Sequence, residues 1–185
     1  MGTDGKGVTT LVGFSGCPLR CKYCLNPQCF EEKAKAEKLT PNELYKKLLP
    51  DDLYFRATGG GVTFGGGEPL LYPDFIREFS DIVKGRWKIA LETSLNVDEK
   101  SLVDADEYFV DVKDMNPEIY KRYTGKDNTP VISNLALLLK RAGSERVTVR
   151  LPLIEGFNTE ADREKSEAIL RQMGVVNFDK FTYRT

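Results

Sequence analysis

The sequence predicts an α/β fold in which a parallel β-sheet is covered by helices. Three observations support this prediction. Short apolar runs typical of buried strands alternate with amphipathic, helix-like segments, an order that favours right-handed βα crossovers. The 185 residues, 41% of them hydrophobic, are enough for one buried core and few for two. No linker rich in proline or serine and no internal repeat interrupts them, so we expect one domain over residues 1–185.

The individual elements follow from local signals along the chain. The apolar run at 8–14 predicts the first strand, and the charged run at 33–38 predicts an exposed helical face. Thr40-Pro41-x-Glu43 combines an N-cap residue with a proline at the first helical position, so a helix should begin there and run through Leu48. Further strands are predicted within 59–69 and at 88–93, 108–113, 147–153 and 178–183, and further helices at 73–83, 98–103, 117–123, 131–142 and 159–173.

The number of these units distinguishes an open sheet from a closed one. We count about six βα units, with the last helix missing. A closed eight-stranded barrel usually needs about 250 residues, so an open, partial (β/α)6 barrel of the TIM type suits this length better. A doubly wound sheet of the Rossmann type is the structural alternative. In either arrangement ligands bind outside the carboxyl ends of the strands, and polar residues at those ends are therefore the candidate site.

Charge and hydropathy exclude some classes of partner. The 27 basic and 28 acidic side chains give a net charge of −1 without a polybasic field, which disfavours a nucleic-acid partner. No apolar stretch approaches the roughly 20 residues that span a bilayer, so we expect a soluble protein without a membrane partner. The first seven residues lack the apolar centre of a secretory signal, and we therefore expect a cytoplasmic protein whose thiols stay reduced.

All four cysteines lie within residues 17–29, and three of them have the spacing Cys17-x3-Cys21-x2-Cys24. Thiolates this close along the chain can converge on one inorganic centre, and cysteine is the residue that binds iron in iron–sulfur clusters. Three ligands for a four-iron cluster leave one iron open, as in catalytic metal sites that bind a substrate. The alternatives are a zinc site completed by Cys29, since the chain has no histidine, and a disulfide, which a reducing compartment disfavours.

This segment resembles a known signature. The three-cysteine spacing, with aromatic Tyr23 directly before the third cysteine, is similar to the motif of the radical S-adenosylmethionine (radical SAM) superfamily. The sequence GCPLRCKYCLNP at 16–27, with Asp4-Gly5-x-Gly7 before it, more closely resembles the entry segment of glycyl-radical-enzyme activases of the pyruvate formate-lyase-activating type. Matches of this kind span nearly the whole chain.

The resemblance implies a reaction and its participants. A [4Fe–4S] cluster on the three cysteines would bind S-adenosylmethionine at its open iron and, on receiving one electron, cleave it to methionine and a 5′-deoxyadenosyl radical. That radical would abstract hydrogen from a glycine of a partner glycyl radical enzyme. A flavodoxin or ferredoxin would supply the electron. Tyr23 would lie against the adenine, and we expect the chain to be a monomer.

Gly66-Gly67-Glu68 follows the second predicted strand. Glycines lack side chains, so a ligand can approach the backbone there, and Glu68 would stand at the entrance to the next helix. The three residues resemble the family's GGE motif, which implies contact with the amino group of S-adenosylmethionine. A plain turn is the structural alternative for a glycine run of this kind.

Ionisable residues interrupt three later strands. Glu92-Thr93 ends the third, Asp111-x-Lys113 ends the fourth, and Arg150 lies in the fifth. Burying such charges without partners is costly, so they either serve a ligand or form ion pairs with one another or, for Arg150, at the surface. By resemblance, the residues of the third and fourth strands would lie near the carboxylate and ribose of S-adenosylmethionine. Lys113 and Arg150 are the candidate catalytic residues. The fixed guanidinium of Arg150 suits a carboxylate or a peptide carbonyl.

Some features depart from the activase pattern. Glu92 is longer by one methylene than the aspartate near a monovalent cation in the best-known activase, which weakens the case for such a cation here. Ser94-Leu95-Asn96 follows where the activases have Asn-Gly, and the chain ends without their Pro-Tyr-His segment. Cys29 matches nothing general in the superfamily. We interpret it as a buried or spare thiol, with a role in resolving or binding a second species as its alternative.

Two other functions stay open. A radical SAM enzyme can modify a small molecule or a ribosomally made peptide instead of a protein glycine. From a different class, a non-catalytic metal-binding or electron-transfer protein would use Cys29 as a fourth ligand. Replacing Cys29 by alanine separates this last function from the enzymes, because only a four-cysteine site would lose its metal.

Overall fold

The computed structural model describes residues 5–30 and 35–183. Its centre is one sheet of six parallel strands, in which neighbours in space are also consecutive in the chain. All the predicted strands are present, with ends that shift by no more than about two residues. They are β1 (Thr9–Phe14), β2 (Gly61–Gly66), β3 (Lys88–Thr93), β4 (Glu107–Asp111), β5 (Val147–Leu153) and β6 (Asn177–Thr182).

The strand order confirms the open partial barrel and excludes the Rossmann alternative. A Rossmann sheet reverses its order after the first strand, as 3-2-1-4-5-6, whereas this sheet runs from β1 to β6 in one direction. β1 and β6 form its edges, and no ladder joins them within the described residues. The barrel is therefore open between its first and last strands.

Six α-helices are found in the described part of the chain, and their ends agree with local chemistry. Thr40 and Glu43 form a capping box at the start of the first, and Thr159 and Asp162 form one at the start of the last. The helices are α1 (Pro41–Leu48), α2 (Asp52–Thr58), α3 (Pro73–Val83), α4 (Pro117–Thr124), α5 (Thr129–Ala142) and α6 (Glu160–Gln172).

Two helical predictions need correction, and one helix was not predicted. The charged run at 33–38 has no regular structure at 35–38, where exposed polar residues offer no apolar face, and 33–34 lie outside the described residues. The segment 98–103 forms only the 3-10 turn Glu99–Ser101. The short helix α2 is absent from the sequence-based prediction, because its exposed Leu53 and Tyr54 obscure the apolar face of a seven-residue helix.

Asp4, which carried part of the activase resemblance, also lies outside the described residues.

The two faces of the sheet differ in chemistry. Leu91, Val110 and Val149 belong to a hydrophobic core in which the strands pack with the helices. Burying a side chain of this size stabilises a fold by about 1.5–3 kcal/mol, so this face holds the sheet and helices together. The neighbouring residues along each strand, such as Glu92 and Arg150, belong to the opposite face because side chains alternate along a strand. That second face carries the ionisable residues beside apolar ones such as Phe109, and it forms the inside of the open barrel.

No helix in the described ranges combines the length and the apolar composition needed to cross a membrane. The assignment of a single domain to residues 1–185 stays a prediction.

Candidate active site

A cavity of about 560 Å³ lies at the carboxyl ends of the strands. The loop after β1 and the ends of the other strands form its walls. Ligand pockets commonly measure roughly 300–1,000 Å³, so this one has room for a ligand of nucleoside size. It brings together every residue that the sequence analysis proposes for the site, although the role of each stays a prediction. These residues are Cys17, Cys21, Tyr23, Cys24, Gly66, Gly67, Glu68, Glu92, Thr93, Asp111, Lys113 and Arg150.

The three cysteines of the motif lie on an irregular loop, residues 16–29, which we call the cluster loop. Its neck is closed by the Gly16 N–H, which donates to the carbonyl oxygen of Cys29 at 2.6 Å. Cys29 is half-buried at this neck, where a Cβ added to Gly66 would lie 3.3 Å from its Sγ atom, and it does not line the cavity. This placement favours a three-cysteine site over the four-cysteine alternative.

The middle of the cluster loop is attached to the end of α4. The N–H groups of Arg20 and Lys22 donate to the carbonyl oxygens of Thr124 (2.9 Å) and Tyr123 (3.1 Å). The hydroxyl of Tyr123 donates in turn to the carbonyl oxygen of Tyr23 at 3.2 Å. Hydrogen bonds to α4 therefore fix the backbone of this loop, as the hydrogen bonds within a helix or sheet fix regular structure.

The three thiols of the motif line one cavity and can serve as ligands of an iron–sulfur cluster. Burial raises the pKa of the Cys17 thiol to about 11 and also raises the pKa of Cys21, so metal binding must displace protons from them.

The glycines at the end of β2 are needed because backbone segments pack directly on each other there. A Cβ at Gly67 would lie 2.2 Å from the carbonyl oxygen of Gly16, and a Cβ at Gly66 would lie 2.7 Å from the Cα atom of Gly13. Gly66 also has a φ of +83°, which favours glycine. The Gly67 N–H donates to the carbonyl oxygen of Phe14 at 3.0 Å. Close approach of β1 and the cluster loop is thus a structural reason for this motif, beside ligand access.

The Glu68 carboxylate ties the end of β2 to the end of β3. One oxygen accepts from the Leu70 N–H (3.2 Å) and the Thr93 hydroxyl (2.7 Å), and the other accepts from the N–H (2.9 Å) and hydroxyl (2.7 Å) of Ser94. Its own N–H donates to the Gly16 carbonyl oxygen at 2.8 Å. Burial raises the pKa of Glu68 and these hydrogen bonds oppose that rise. Glu68 therefore also positions the walls of the cavity.

A row of charges crosses the barrel interior from β4 to β6. Asp111, Arg150 and Asp179 are register partners on adjacent strands. The guanidinium of Arg150 lies over the Phe109 ring, 4.7 Å from its centroid, and reaches Glu92 at 2.9 Å and Asp179 at 3.8 Å. The ion pair named as the alternative for Arg150 is therefore present, but inside the cavity. Because a guanidinium already faces Glu92, the monovalent cation stays a prediction without structural support.

Lys113 lies two residues after β4 and is buried. Its Nζ atom is 3.0 Å from Oδ2 of Asp111 and 3.3 Å from the Tyr183 hydroxyl. Burial alone would lower the pKa of this ammonium, but the Asp111 carboxylate and other neighbours outweigh it and raise the pKa well above its ordinary value. Lys113 is therefore a permanent positive charge, and the more exposed Asp111 is the partner with more access to a ligand.

Tyr23 lies at the rim of the cavity. Its side chain is partly exposed, and its ring meets the Phe157 ring in a T-shaped contact with the centroids 5.8 Å apart. Tyr123 contacts the same Phe157 ring from within the fold, at 5.1 Å. This cluster fixes an aromatic surface beside the cysteines, of the kind on which a nucleobase can stack.

The sequence analysis misses the contribution of the last strand. Asp179, Phe181 and Tyr183 follow one another at every second position and all line the cavity. This alternation indicates that the three residues share one face of the strand. It does not indicate whether that face lines the barrel interior or faces the helices. The other lining residues that were not proposed are Leu11, Leu19, Leu25, Asn26 and Ser94.

The sequence of the chain defines its class. The family model described as the Radical SAM superfamily matches residues 11–166, which begin within β1, include β2 to β5 and end in the middle of α6. The chain belongs to the radical SAM superfamily.

Particular relatives narrow this class. The pyruvate formate-lyase-activating enzyme of Clostridium pasteurianum is 41% identical over 130 residues, which cover 66% of this chain and 53% of that protein. The enzyme of the same name from Staphylococcus aureus (strain USA300) is 32% identical over 170 residues, covering 86% of this chain and 67% of that protein. The chain therefore spans about half to two thirds of the length of these curated relatives.

Solved structures agree on the fold. The crystal structure of Streptococcus suis SuiB superposes with a TM-score of 0.71 at 13% identity, covering 96% of this chain and 40% of SuiB. Likeness at this identity shows the fold alone. The family match confirms the predicted radical SAM membership, with the cofactors of that family, a [4Fe–4S] cluster and S-adenosylmethionine, and the curated relatives confirm the relationship to the activases.

The close backbone contact at Gly67 predicts the effect of an added methyl group. Gly67→Ala should displace Gly16, where the cluster loop begins, and so reduce the iron retained after anaerobic reconstitution. Gly13→Ala is the matched control, because its Cβ would have only an ordinary contact with Gly66 at 3.9 Å. Iron content and visible absorption measure the effect. Equal iron in the two variants would contradict this account of the motif.

The four donors around Glu68 predict that Glu68→Gln destabilises the fold. One carboxylate oxygen accepts from the Leu70 N–H and the other from the Ser94 N–H. The amide NH2 of glutamine would therefore face one of these N–H groups, and a backbone N–H cannot act as an acceptor. An unsatisfied buried group of this kind costs about 1–3 kcal/mol. Denaturant unfolding followed by the fluorescence of buried Trp87 measures the loss, with exposed Glu155→Gln as the control. Unfolding at the wild-type midpoint would refute the argument.

Proposed function

We propose that this chain activates a glycyl radical enzyme by removing a hydrogen atom from a glycine of that partner. The observation that carries the proposal is the convergence of the cysteine motif and the candidate S-adenosylmethionine residues on one cavity, in a chain related to pyruvate formate-lyase-activating enzymes. The name of those relatives supports a protein substrate of this kind.

Cys17, Cys21 and Cys24 would each hold one iron of the cluster. When bound, the cluster and S-adenosylmethionine supply a one-electron cleavage of the sulfonium bond that gives methionine and a 5′-deoxyadenosyl radical. The task of the chain is to keep the thiols in place and to orient the bound molecule. The hydrogen bonds from the cluster loop to α4 support this role, because they fix the backbone between the cysteines.

The polar groups of S-adenosylmethionine match the charges of the cavity. Its carboxylate would lie near the Lys113 ammonium and the Arg150 guanidinium, and its ribose hydroxyls would donate to Asp111 or Glu92. Tyr23 would lie along the adenine. Glu68 would act by positioning Thr93 and Ser94, whose hydroxyls donate hydrogen bonds to its carboxylate, and not by binding the ligand directly.

The open side of the barrel supports a polypeptide substrate. The barrel is unpaired between β1 and β6 in the described ranges, and Leu11 lines the cavity with 48% of its surface exposed. A carbon radical has to be protected from solvent and side reactions, so something must close this opening. A docked glycine-bearing loop would be substrate and lid together, with its carbonyl groups facing Arg150. We further propose that the chain works as a monomer in a reducing cytoplasm and takes its electron from a flavodoxin or ferredoxin.

A peptide-modifying radical SAM enzyme is the second candidate. SuiB, which shares the fold, has been crystallised with its precursor peptide SuiA. An open cavity admits a short peptide as readily as a loop of a folded partner.

Alanine substitution tests the metal ligands. Cys17→Ala, Cys21→Ala and Cys24→Ala should each abolish a stable cluster, because each removes the thiolate of one corner. Cys29→Ala should retain iron and the visible spectrum, since Cys29 lies at the loop neck and outside the cavity. Iron analysis after reconstitution decides between the outcomes. Loss of iron in Cys29→Ala would favour the four-cysteine alternative.

Electron paramagnetic resonance tests the substrate. Reduced protein with S-adenosylmethionine alone should cleave it slowly and without coupling, and adding the correct glycyl radical enzyme should produce a persistent doublet from the remaining α-hydrogen. Cys24→Ala should abolish that signal. Fast, coupled turnover with a small molecule or short peptide, and no protein radical with any encoded partner, would replace this proposal with the second candidate.

A further inference from the structure

The outer side of the cluster loop is basic. Residues 16–30 contain Arg20 and Lys22 and no acid, and residues 119–126 at the end of α4 contain Lys121, Arg122 and Lys126 and no acid. All these basic side chains are on exposed residues. The chain as a whole has a net charge of −1, so this accumulation is local.

Hydrogen bonds join the two segments into one surface. The bonds from Arg20 to Thr124 and from Lys22 to Tyr123 bring their backbones within 3.1 Å. Lys22 lies between Cys21 and Tyr23, which both line the cavity, but it does not line the cavity itself. We call the surface formed by Lys22, Lys121, Arg122 and Lys126 the basic face.

The lysines of the basic face form no close ion pairs within the described structure, although Asp127 is near enough to feel the charge of Lys121. No ion pair within 4 Å joins Lys22, Lys121 or Lys126 to an acid there. Arg122 donates to the Phe157 carbonyl oxygen at 2.6 Å and lies over the Phe157 ring, so it keeps its charge. Glu31 and Glu32 follow the first segment in sequence, Glu118 and Asp127 flank the second, and these acids limit the extent of the face.

We propose that the basic face is the docking surface for a small acidic protein that carries one low-potential electron. This inference rests on the proposed function, because it assumes a cluster that must be reduced. The cavity side of the loop would be occupied by S-adenosylmethionine and the substrate, so a donor needs the outer side. Lys22 lies between Cys21 and Tyr23, so a protein bound there approaches the cluster through the thickness of one loop.

The charge and size of the surface suit a transient donor. Electron-transfer complexes are among the smallest protein interfaces, and their encounter is guided by complementary charge. An acidic carrier would bind briefly, lose one electron to the cluster and leave. No bond is formed or broken in that step. The carrier is oxidised because it loses one electron, and the cluster is reduced because it gains that electron.

Charge reversal tests the proposal. The test variant carries Lys22→Glu, Lys121→Glu and Lys126→Glu, which leave the arginines that bind carbonyl groups in place. The control variant carries Lys46→Glu, Lys100→Glu and Lys140→Glu, exposed positions elsewhere with the same change in net charge. Iron content after reconstitution and far-ultraviolet circular dichroism should match wild type for both.

A flavodoxin in its reduced form is the probe, and loss of visible cluster absorbance in stopped flow gives the reduction rate. We expect the test variant to be slower at low salt by about tenfold or more and to lose the salt dependence of the wild type, since electrostatic steering changes association rates by about 10- to 1,000-fold. The control variant should behave as wild type. Reduction by dithionite, which needs no docking, should be unchanged in both.

Binding gives a second readout that does not depend on turnover. Calorimetry with oxidised flavodoxin should show weaker binding to the test variant alone, and it decides the docking question even if no glycyl radical is ever formed. Equal slowing in both variants, or an unchanged flavodoxin rate in the test variant, overturns the proposal. Binding of an RNA oligonucleotide or an anionic vesicle that the test variant loses, with flavodoxin reduction unchanged, also overturns it and assigns the face to that ligand.

Discussion

The site depends on the backbone hydrogen bonds that hold an irregular loop against its neighbours. The regular structure of the cluster loop is limited to the 3-10 turn Pro27–Cys29. Fixing the backbone of a residue costs about 1–2 kcal/mol, so an unsupported loop would not keep three thiols in one arrangement. Main-chain bonds to Glu68, just after β2, and to the end of α4 supply that support. Side chains between the cysteines can therefore vary, whereas Gly67, which touches another backbone, cannot.

The same sheet performs two tasks because its faces are separated by alternation. Parallel strands covered on both faces usually form continuous apolar runs. Here the helix-facing residues are apolar, whereas the inner face mixes charged residues with apolar ones such as Leu11 and Phe109, so the core holds the fold while the inner face carries chemistry. Register then determines which polar groups meet. Asp111, Arg150 and Asp179 are far apart in sequence, and pairing of β4, β5 and β6 places them in one row.

Sequence reasoning was strongest where chemistry is written into short motifs. The cysteine spacing, Gly66-Gly67-Glu68 and the ionisable strand ends identified a set of residues that share one cavity. It was weaker where the answer depends on tertiary contacts. The four donors to Glu68 come from three other residues, and Asp179 belongs to the site only because β6 pairs with β5. The helix α2 was missed because its exposed apolar residues do not form a clear stripe.

The ion pairs inside the cavity explain how it can receive a charged ligand. Glu92 pairs with Arg150 and Asp111 pairs with Lys113, so charges that would be costly to bury alone are balanced before any ligand enters. S-adenosylmethionine carries a carboxylate, an ammonium and a sulfonium. On entering, it would exchange partners with these pairs, and each charge would keep an opposite neighbour throughout. The charged walls of the cavity are then desolvated when the chain folds and not when the ligand binds. The interactions that the ligand makes with these walls can therefore serve to orient it.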